Sequence, residues 1–140
     1  MIGFMGTGKT SVGKQVARRL DMVFLDMDAV IESRVKKPVT RIFAEDGEAF
    51  FRNQERQLVR ELAGQAGLVV APGGGIVLNP DNISDFARTS LVVCLKAAPE
   101  TILARLSTDT SRPLLDGEDK MKKISDLLEK RRPLYDAIPD

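Results

Sequence analysis

Histidine and tryptophan are both missing from this 140-residue chain, which also has a single cysteine and a single tyrosine. Without histidine, imidazole is excluded as base, metal ligand or pH switch. The lone cysteine, Cys94 in the apolar run LVVCL, excludes an internal disulfide framework and a cysteine zinc site. Charge of one sign is also lacking: 21 basic against 20 acidic residues give a net +1. That balance argues against non-specific nucleic-acid binding and polybasic membrane binding, which both need a single-sign patch. No window approaches the ~18 apolar residues of a membrane span, and no charged segment followed by an apolar stretch marks secretion. A cytoplasmic monomer with small-molecule partners, engaging neither membranes nor nucleic acid, is the expectation. With 43% hydrophobic and 29% charged residues the composition is that of a globular protein. No repeat, low-complexity tract or linker divides it, so residues 1–140 read as one domain.

What the chain does have begins at once. Its first ten residues, MIGFMGTGKT, contain Gly3-x-x-x-x-Gly8-Lys9-Thr10 behind an apolar lead-in and ahead of an amphipathic run. This is a phosphate-cradling loop in its proper strand, loop and helix setting. Gly3, Gly6 and Gly8 allow positive φ angles, which bring backbone N–H groups close to a triphosphate. Lys9 supplies an ammonium for the β- and γ-phosphates and Thr10 a hydroxyl for Mg²⁺. The helix starting here adds the positive end of its dipole. A nucleoside triphosphate is the expected ligand.

Further on, short apolar runs alternate with helical patterns, the signature of a mostly parallel sheet wrapped by helices, so the fold class is α/β. Helix over Lys9–Leu20 carries Val12, Val16, Ala17 and Leu20 on one face. Strand follows in MVFLDMD, then helix over Ala29–Val35, and a long helix over Glu48–Gln65 with Phe51, Leu58 and Leu62 on one stripe. The run LVVA reads as a buried strand ending in Pro72-Gly73-Gly74-Gly75. A short helix over Asp81–Arg88 leads to a strand over Leu91–Leu95, and Pro99 opens a helix through Leu106. Ser107–Lys120 is polar and lacks apolar periodicity, which suits a mobile lid of about 107–120. A final helix from about Asp119 stops near Pro133. Only Met1 and Ile2 precede Gly3, where a central strand has about five residues, and the chain halts soon after Ala137-Ile138-Pro139. A longer natural chain is the expectation.

Several features narrow the chemistry. Asp26 and Asp28 lie two apart; if extended, both point to one side, toward the crevice at the carboxyl ends of the strands. One carboxylate can help hold Mg²⁺ while the other orients a hydroxyl, although Asp28 also suits a helix N-cap. Arg52 follows Phe51 on a helix otherwise facing solvent, the triple glycine permits close approach of a ligand, and Arg112 and Arg131 stand in RPLL and RRPLY.

In this order, GFMGTGKT, LDMD, FFR, PGGG, RPLL and RxPLY resemble the shikimate kinase family over almost the whole chain. The resemblance implies a five-stranded parallel sheet of the nucleoside-monophosphate-kinase type and ATP-dependent phosphorylation of the 3-hydroxyl of shikimate. It implies that Gly6, Thr7, Gly8, Lys9, Thr10 and Ser11 hold the ATP phosphates, with Thr10 and Asp26 on Mg²⁺. Asp28 would bind ring hydroxyls and take the 3-hydroxyl proton. Arg52 and Arg131 would grip the substrate carboxylate, with Gly73, Gly74 and Gly75 against the ring. Lys9 and Arg112 would stabilise the transferring phosphoryl group, and Arg105 would lie over the adenine. Pro72 departs from the family pattern, where Thr or Ser often precedes the glycines. Kinases of gluconate or nucleoside monophosphates share the loop and lid but not this combination, and a non-catalytic nucleotide- or shikimate-binding module is the alternative of another class. A GTPase is disfavoured because no Asn-Lys-x-Asp motif occurs.

Overall fold

A computed structural model describes residues 1–106 and 119–138, so Arg112 and nearly all of the expected lid lie outside the described residues. Four short strands alternate with helices. β1 (Ile2–Gly3) runs into the phosphate loop and α1 (Lys9–Arg19); β2 (Val23–Asp26) passes directly into α2 (Met27–Val35). After α3 (Val39–Arg41) and a π-helical turn at Ile42–Asp46 comes α4 (Glu48–Leu62), then β3 (Leu68–Ala71) and the glycine turn. The remaining elements are α5 (Pro80–Ala87), β4 (Cys94–Leu95), α6 (Pro99–Leu106) and α7 (Lys120–Asp136).

The strands pair in parallel, as the alternating pattern predicts. β2 lies beside β3 with Val23 opposite Leu68 and Asp26 opposite Ala71. β1 lies beside β4 with Ile2 opposite Cys94. The Met1 nitrogen donates to the Val70 carbonyl at 2.7 Å, and Ile2 N donates to Val93 O at 2.8 Å. The strands thus form two parallel pairs, β2-β3 and β1-β4, with the Met1 bond to Val70 O linking the start of β1 to β3. The carboxyl ends of all four strands therefore meet on one side, where open α/β sheets bind ligands.

Some expectations need correction. Among the described residues there are four strands rather than five. The run from Leu91 pairs only at Cys94–Leu95, because β1 offers it only two partners, and Leu91 is 86% exposed. Val12 and Leu20, expected on the inner face of α1, are exposed; Gly13 and Ala17 are what that helix buries. Pro133 does not end α7: it sits inside the helix, which continues to Asp136 and closes with Ala137 N donating to Pro133 O at 3.0 Å. By contrast β3 and α6 coincide with their predicted spans, and α4 buries Phe51, Leu58 and Leu62 as its pattern requires.

Core residues come from every layer: Phe4 beneath the loop, Met27 and Ile31 on α2, Leu58 and Val59 on α4, Ile102 on α6 and Ile124 on α7 are all at most 2% exposed. Each such side chain contributes about 1.5–3 kcal/mol by leaving water, which anchors the loops at the strand ends to a packed base.

The approach of α1 to β2 depends on Gly13. A Cβ there would lie 2.6 Å from the ring of Phe24. Gly13→Ala would gain about 1 kcal/mol of helix propensity, yet forcing a methyl into packed space costs about 1–3 kcal/mol. Denaturant unfolding should show a net loss of stability. In a Phe24→Ala background the same change should become neutral or stabilising; an equal loss in both backgrounds would remove this contact as the cause.

Candidate active site

The phosphate loop folds as its glycines predict. Gly6 and Gly8 have φ of 78° and 98°, and Gly8 caps α1 in the left-handed region. Lys9 Nζ donates to the carbonyls of Gly3 (2.9 Å) and Phe4 (3.0 Å), so the ammonium lies folded over its own loop. A cleft of about 250 Å³ opens above it, lined by Gly6, Gly8, Lys9, Thr10, Ser11 and Arg105 among others. Thr7 does not line this cleft. It is buried, and its hydroxyl turns inward to donate to Phe4 O at 2.7 Å, which staples the loop. Arg105 is drawn onto the loop, donating to Gly6 O at 2.9 Å from the last turn of α6.

The acidic pair sits differently from the extended arrangement. Asp26 ends β2 and caps α2: its Oδ1 accepts from the N–H groups of Asp28 (3.1 Å) and Ala29 (3.4 Å). Asp28 is already in the first helical turn. The helix starts early because Asp26, not Asp28, satisfies the first amides. Both nonetheless line the cleft, since the strand end aims one and the first turn the other into the same crevice. Thr10 Oγ1 donates to Asp26 Oδ2 at 3.2 Å. A hydroxyl and a carboxylate together are hard oxygen donors of the kind Mg²⁺ uses alongside phosphate oxygens and water.

Asp26, Asp28, Gly73 and Gly74 also line a second cavity of about 300 Å³, which extends to Arg52, Gly75 and Arg131. The triple glycine is the shared wall, and its lack of side chains has a specific cause. A Cβ on Gly73 would stand 2.8 Å from Asp28 Oδ1, and one on Gly74 would stand 3.0 Å from Met5 N. On Gly75 it would come within 2.5 Å of the Arg52 guanidinium. The glycines thus make room for the protein's own functional groups as well as for a ligand.

Two guanidinium groups face this cavity from separate helices, in contrasting states. Arg52 on α4 is held by Glu48 (3.0 and 3.2 Å) and by both oxygens of Glu55 (3.0 and 3.1 Å), and it lies 5.3 Å from the Phe51 ring centre. Arg131 on α7 is 4% exposed, has no carboxylate hydrogen-bonded to it among the described residues, and reaches Gly74 O at 3.4 Å with the Tyr135 hydroxyl beside it. Burial lowers its pKa from the ordinary value. A guanidinium buried in this way is chemically suited to an anionic partner.

Glu55 was not singled out by the sequence reading. It is 2% exposed, and burial pushes its carboxyl up to about 7, opposed by Arg52 and Arg131 and reinforced by Asp28. The signal was present: Phe51, Glu55, Leu58 and Leu62 share the buried stripe of α4, and a lone carboxylate on such a stripe requires a partner. Tyr135, also missed, is buried on α7 with its hydroxyl on Gly74 O. Of the expected set, Gly6, Gly8, Lys9, Thr10, Ser11, Arg105, Asp26, Asp28, Arg52, Arg131 and the three glycines come together at the strand ends.

Comparison with known proteins agrees with this geometry. A family model described as "Shikimate kinase" matches residues 5–140. A shikimate kinase of Desulforudis audaxviator is 51% identical over 137 residues, covering 98% of this chain and 72% of that protein. One from Pelotomaculum thermopropionicum is 46% identical, covering 98% and 80%. Among solved structures, the shikimate kinase of Acinetobacter baumannii in complex with shikimate superposes with a TM-score of 0.94 at 38% identity, covering 98% of this chain and 76% of that one. These matches and the two joined cavities lead to one conclusion: the chain belongs to the shikimate kinase family.

Proposed function

We propose that this chain transfers the γ-phosphoryl group of ATP to the 3-hydroxyl of shikimate, with Asp28 at the junction of donor and acceptor cavities. The observation that carries the reading is the shared wall: Asp26, Asp28, Gly73 and Gly74 border both the phosphate cleft and the cavity of the two arginines. Two reactants seated there would meet without an intervening layer of protein. Phosphoryl transfer asks chiefly for positioning and for positive charge around a spreading negative one, so a chain without histidine is adequate.

The loop amides and Lys9 bind the triphosphate; Lys9 exchanges the Gly3 and Phe4 carbonyls for phosphate oxygens. Thr10 and Asp26 fit a Mg²⁺ ion, which when bound with ATP offsets phosphate charge. Arg131 takes the acceptor carboxylate with Arg52 beside it, and the planar fork of each guanidinium suits that anion. This grip sets the far end of the ring, so that a hydroxyl at the other end falls against Asp28. Asp28 accepts the hydroxyl proton as the oxygen attacks phosphorus. Arg105 borders the nucleotide side, and Arg112 is assigned to the transferring group.

Arg131→Ala should therefore raise the acceptor KM about ten- to a hundredfold, from the loss of charge-assisted hydrogen bonds of about 1.5–3 kcal/mol. The KM for ATP should hardly move, and Tm should hold or rise, because a buried cation with no ion-pair partner among the described residues is removed. Unchanged acceptor KM would exclude Arg131 from the site. Gly75→Ala offers a second check: the new methyl displaces the flexible end of Arg52, so acceptor binding should weaken while far-ultraviolet circular dichroism stays the same.

Asp28→Asn keeps the shape and can still hydrogen-bond, but it cannot take a proton. The rate should fall by about 10²–10⁴ with ATP affinity preserved. Steady-state kinetics with both substrates varied separates this outcome from simple loss of acceptor binding.

Glu55 makes the acceptor site sensitive to pH. Its carboxyl titrates near 7 in the folded chain. Below that pH it is neutral and leaves Arg52 more positive; above, it is anionic, competes with the acceptor carboxylate and adds charge beside Asp28. Acceptor Kd should rise as pH passes upward through about 7, and Glu55→Gln should flatten the profile. Because folding raises this pKa from about 4.5, the folded state holds the proton more tightly, and its contribution to stability declines as pH rises from about 4.5 through 7.

A further inference from the structure

Arg131 and Tyr135 stand one helical turn apart on α7, and both reach the same acceptor, the carbonyl oxygen of Gly74. They are not equal partners. The Tyr135 hydroxyl makes a short, buried hydrogen bond to it, whereas Arg131 approaches only to 3.4 Å, at the outer limit of hydrogen bonding, and also lies against the Tyr135 oxygen, which steadies the guanidinium without using up its remaining donors. We propose that Tyr135 is a positioning residue for acceptor binding: by occupying the Gly74 carbonyl it holds the glycine turn and leaves the Arg131 guanidinium available for the acceptor's carboxylate.

Three observations support this assignment. First, Tyr135 is 5% exposed, and burial pushes its phenol up to about 12, so the hydroxyl remains a donor wherever the enzyme works. Second, the turn has no freedom to compensate. Gly74 packs against the Met5 backbone, while its neighbours Gly73 and Gly75 fit against Asp28 and Arg52. A shift of the Gly74 carbonyl therefore disturbs both groups. Third, the turn is held from its other side by Asn82, 1% exposed, whose amide donates to Ile76 O at 3.3 Å. Tyr135 is the matching support on the α7 side. Without the phenol hydroxyl, a buried carbonyl would lack a strong donor, and the nearest one is Arg131. The guanidinium would then be drawn to the carbonyl and away from the ligand.

The inference rests on the reading of Arg131 as the carboxylate receptor, and a double-mutant cycle tests the two separately. Tyr135→Phe removes one oxygen and keeps the ring. It should raise the KM for shikimate roughly fivefold, the scale of one hydrogen bond, with the KM for ATP within about twofold. In an Arg131→Ala background, where no guanidinium can be diverted, Tyr135→Phe should raise the shikimate KM no further. If Arg131→Ala alone leaves that KM unchanged, the receptor reading fails. If Arg131→Ala raises it but Tyr135→Phe does not, or if Tyr135→Phe has the same effect in both backgrounds, Tyr135 is only a packing residue and the inference is overturned.

Should Tyr135→Phe not fold, nuclear magnetic resonance of the unmodified chain decides. On saturation with shikimate, the Arg131 Nε–H resonance should shift while the Gly74 carbonyl resonance stays in place. A Gly74 carbonyl that moves together with Arg131 would show that the phenol does not hold the turn, and would overturn the proposal.

Discussion

The backbone of Gly73–Gly75 runs so close to Asp28, Met5 and Arg52 that a single carbon at any of the three positions would intrude on one of them. Much of the site follows from that crowding. A buried strand, β3, delivers the turn to the carboxyl edge of the sheet. Neighbouring β1 delivers the phosphate loop beside it, and β2 delivers the acidic pair. With no side chains of its own, the turn becomes a thin partition, and residues from α2, α4 and α7 converge on it from three sides. The alternative, a turn with ordinary side chains, would push Asp28 and Arg52 outward and separate the two cavities.

Electrostatics complete what sterics begin. Charges in the acceptor cavity are unequally compensated: Arg52 is embraced by Glu48 and Glu55, while among the described residues no carboxylate forms an ion pair with Arg131. A site with both arginines fully paired would hold a carboxylate ligand weakly, and one with neither paired would oppose folding. Retaining one compensated and one uncompensated cation reconciles the two demands, at the expense of a buried charge that burial itself works to discharge.

Much of this was legible in the chain. The phosphate loop could be read because its chemistry depends on backbone geometry that glycine spacing encodes, and Pro99 and Leu106 bounded α6 for equally local reasons. Asp26 and Asp28 were recognised as a pair, yet their conformations were not: whether an aspartate ends a strand or enters a helix depends on which one reaches the free amides, and Asp26 does so. Tyr135 stayed hidden for a different reason: it gains its role from a carbonyl 61 residues away, and a pattern of types along one helix carries no record of that partner. Glu55, paired with Arg52 three residues before it on α4, was by contrast legible as a carboxylate on a buried stripe, although the shift that burial imposes on it was not. The exposure of Val12 and Leu20 likewise reflects what packs against α1, which periodicity cannot supply.

Lys9 already holds two carbonyls of its own loop. An arriving nucleotide must therefore trade bonds with the loop rather than add them to an idle side chain, and a departing one is replaced the same way. Such an exchange lowers the net gain on binding while keeping the loop shaped between visits. For a catalyst that must discard ADP in every cycle, this restraint favours throughput over grip.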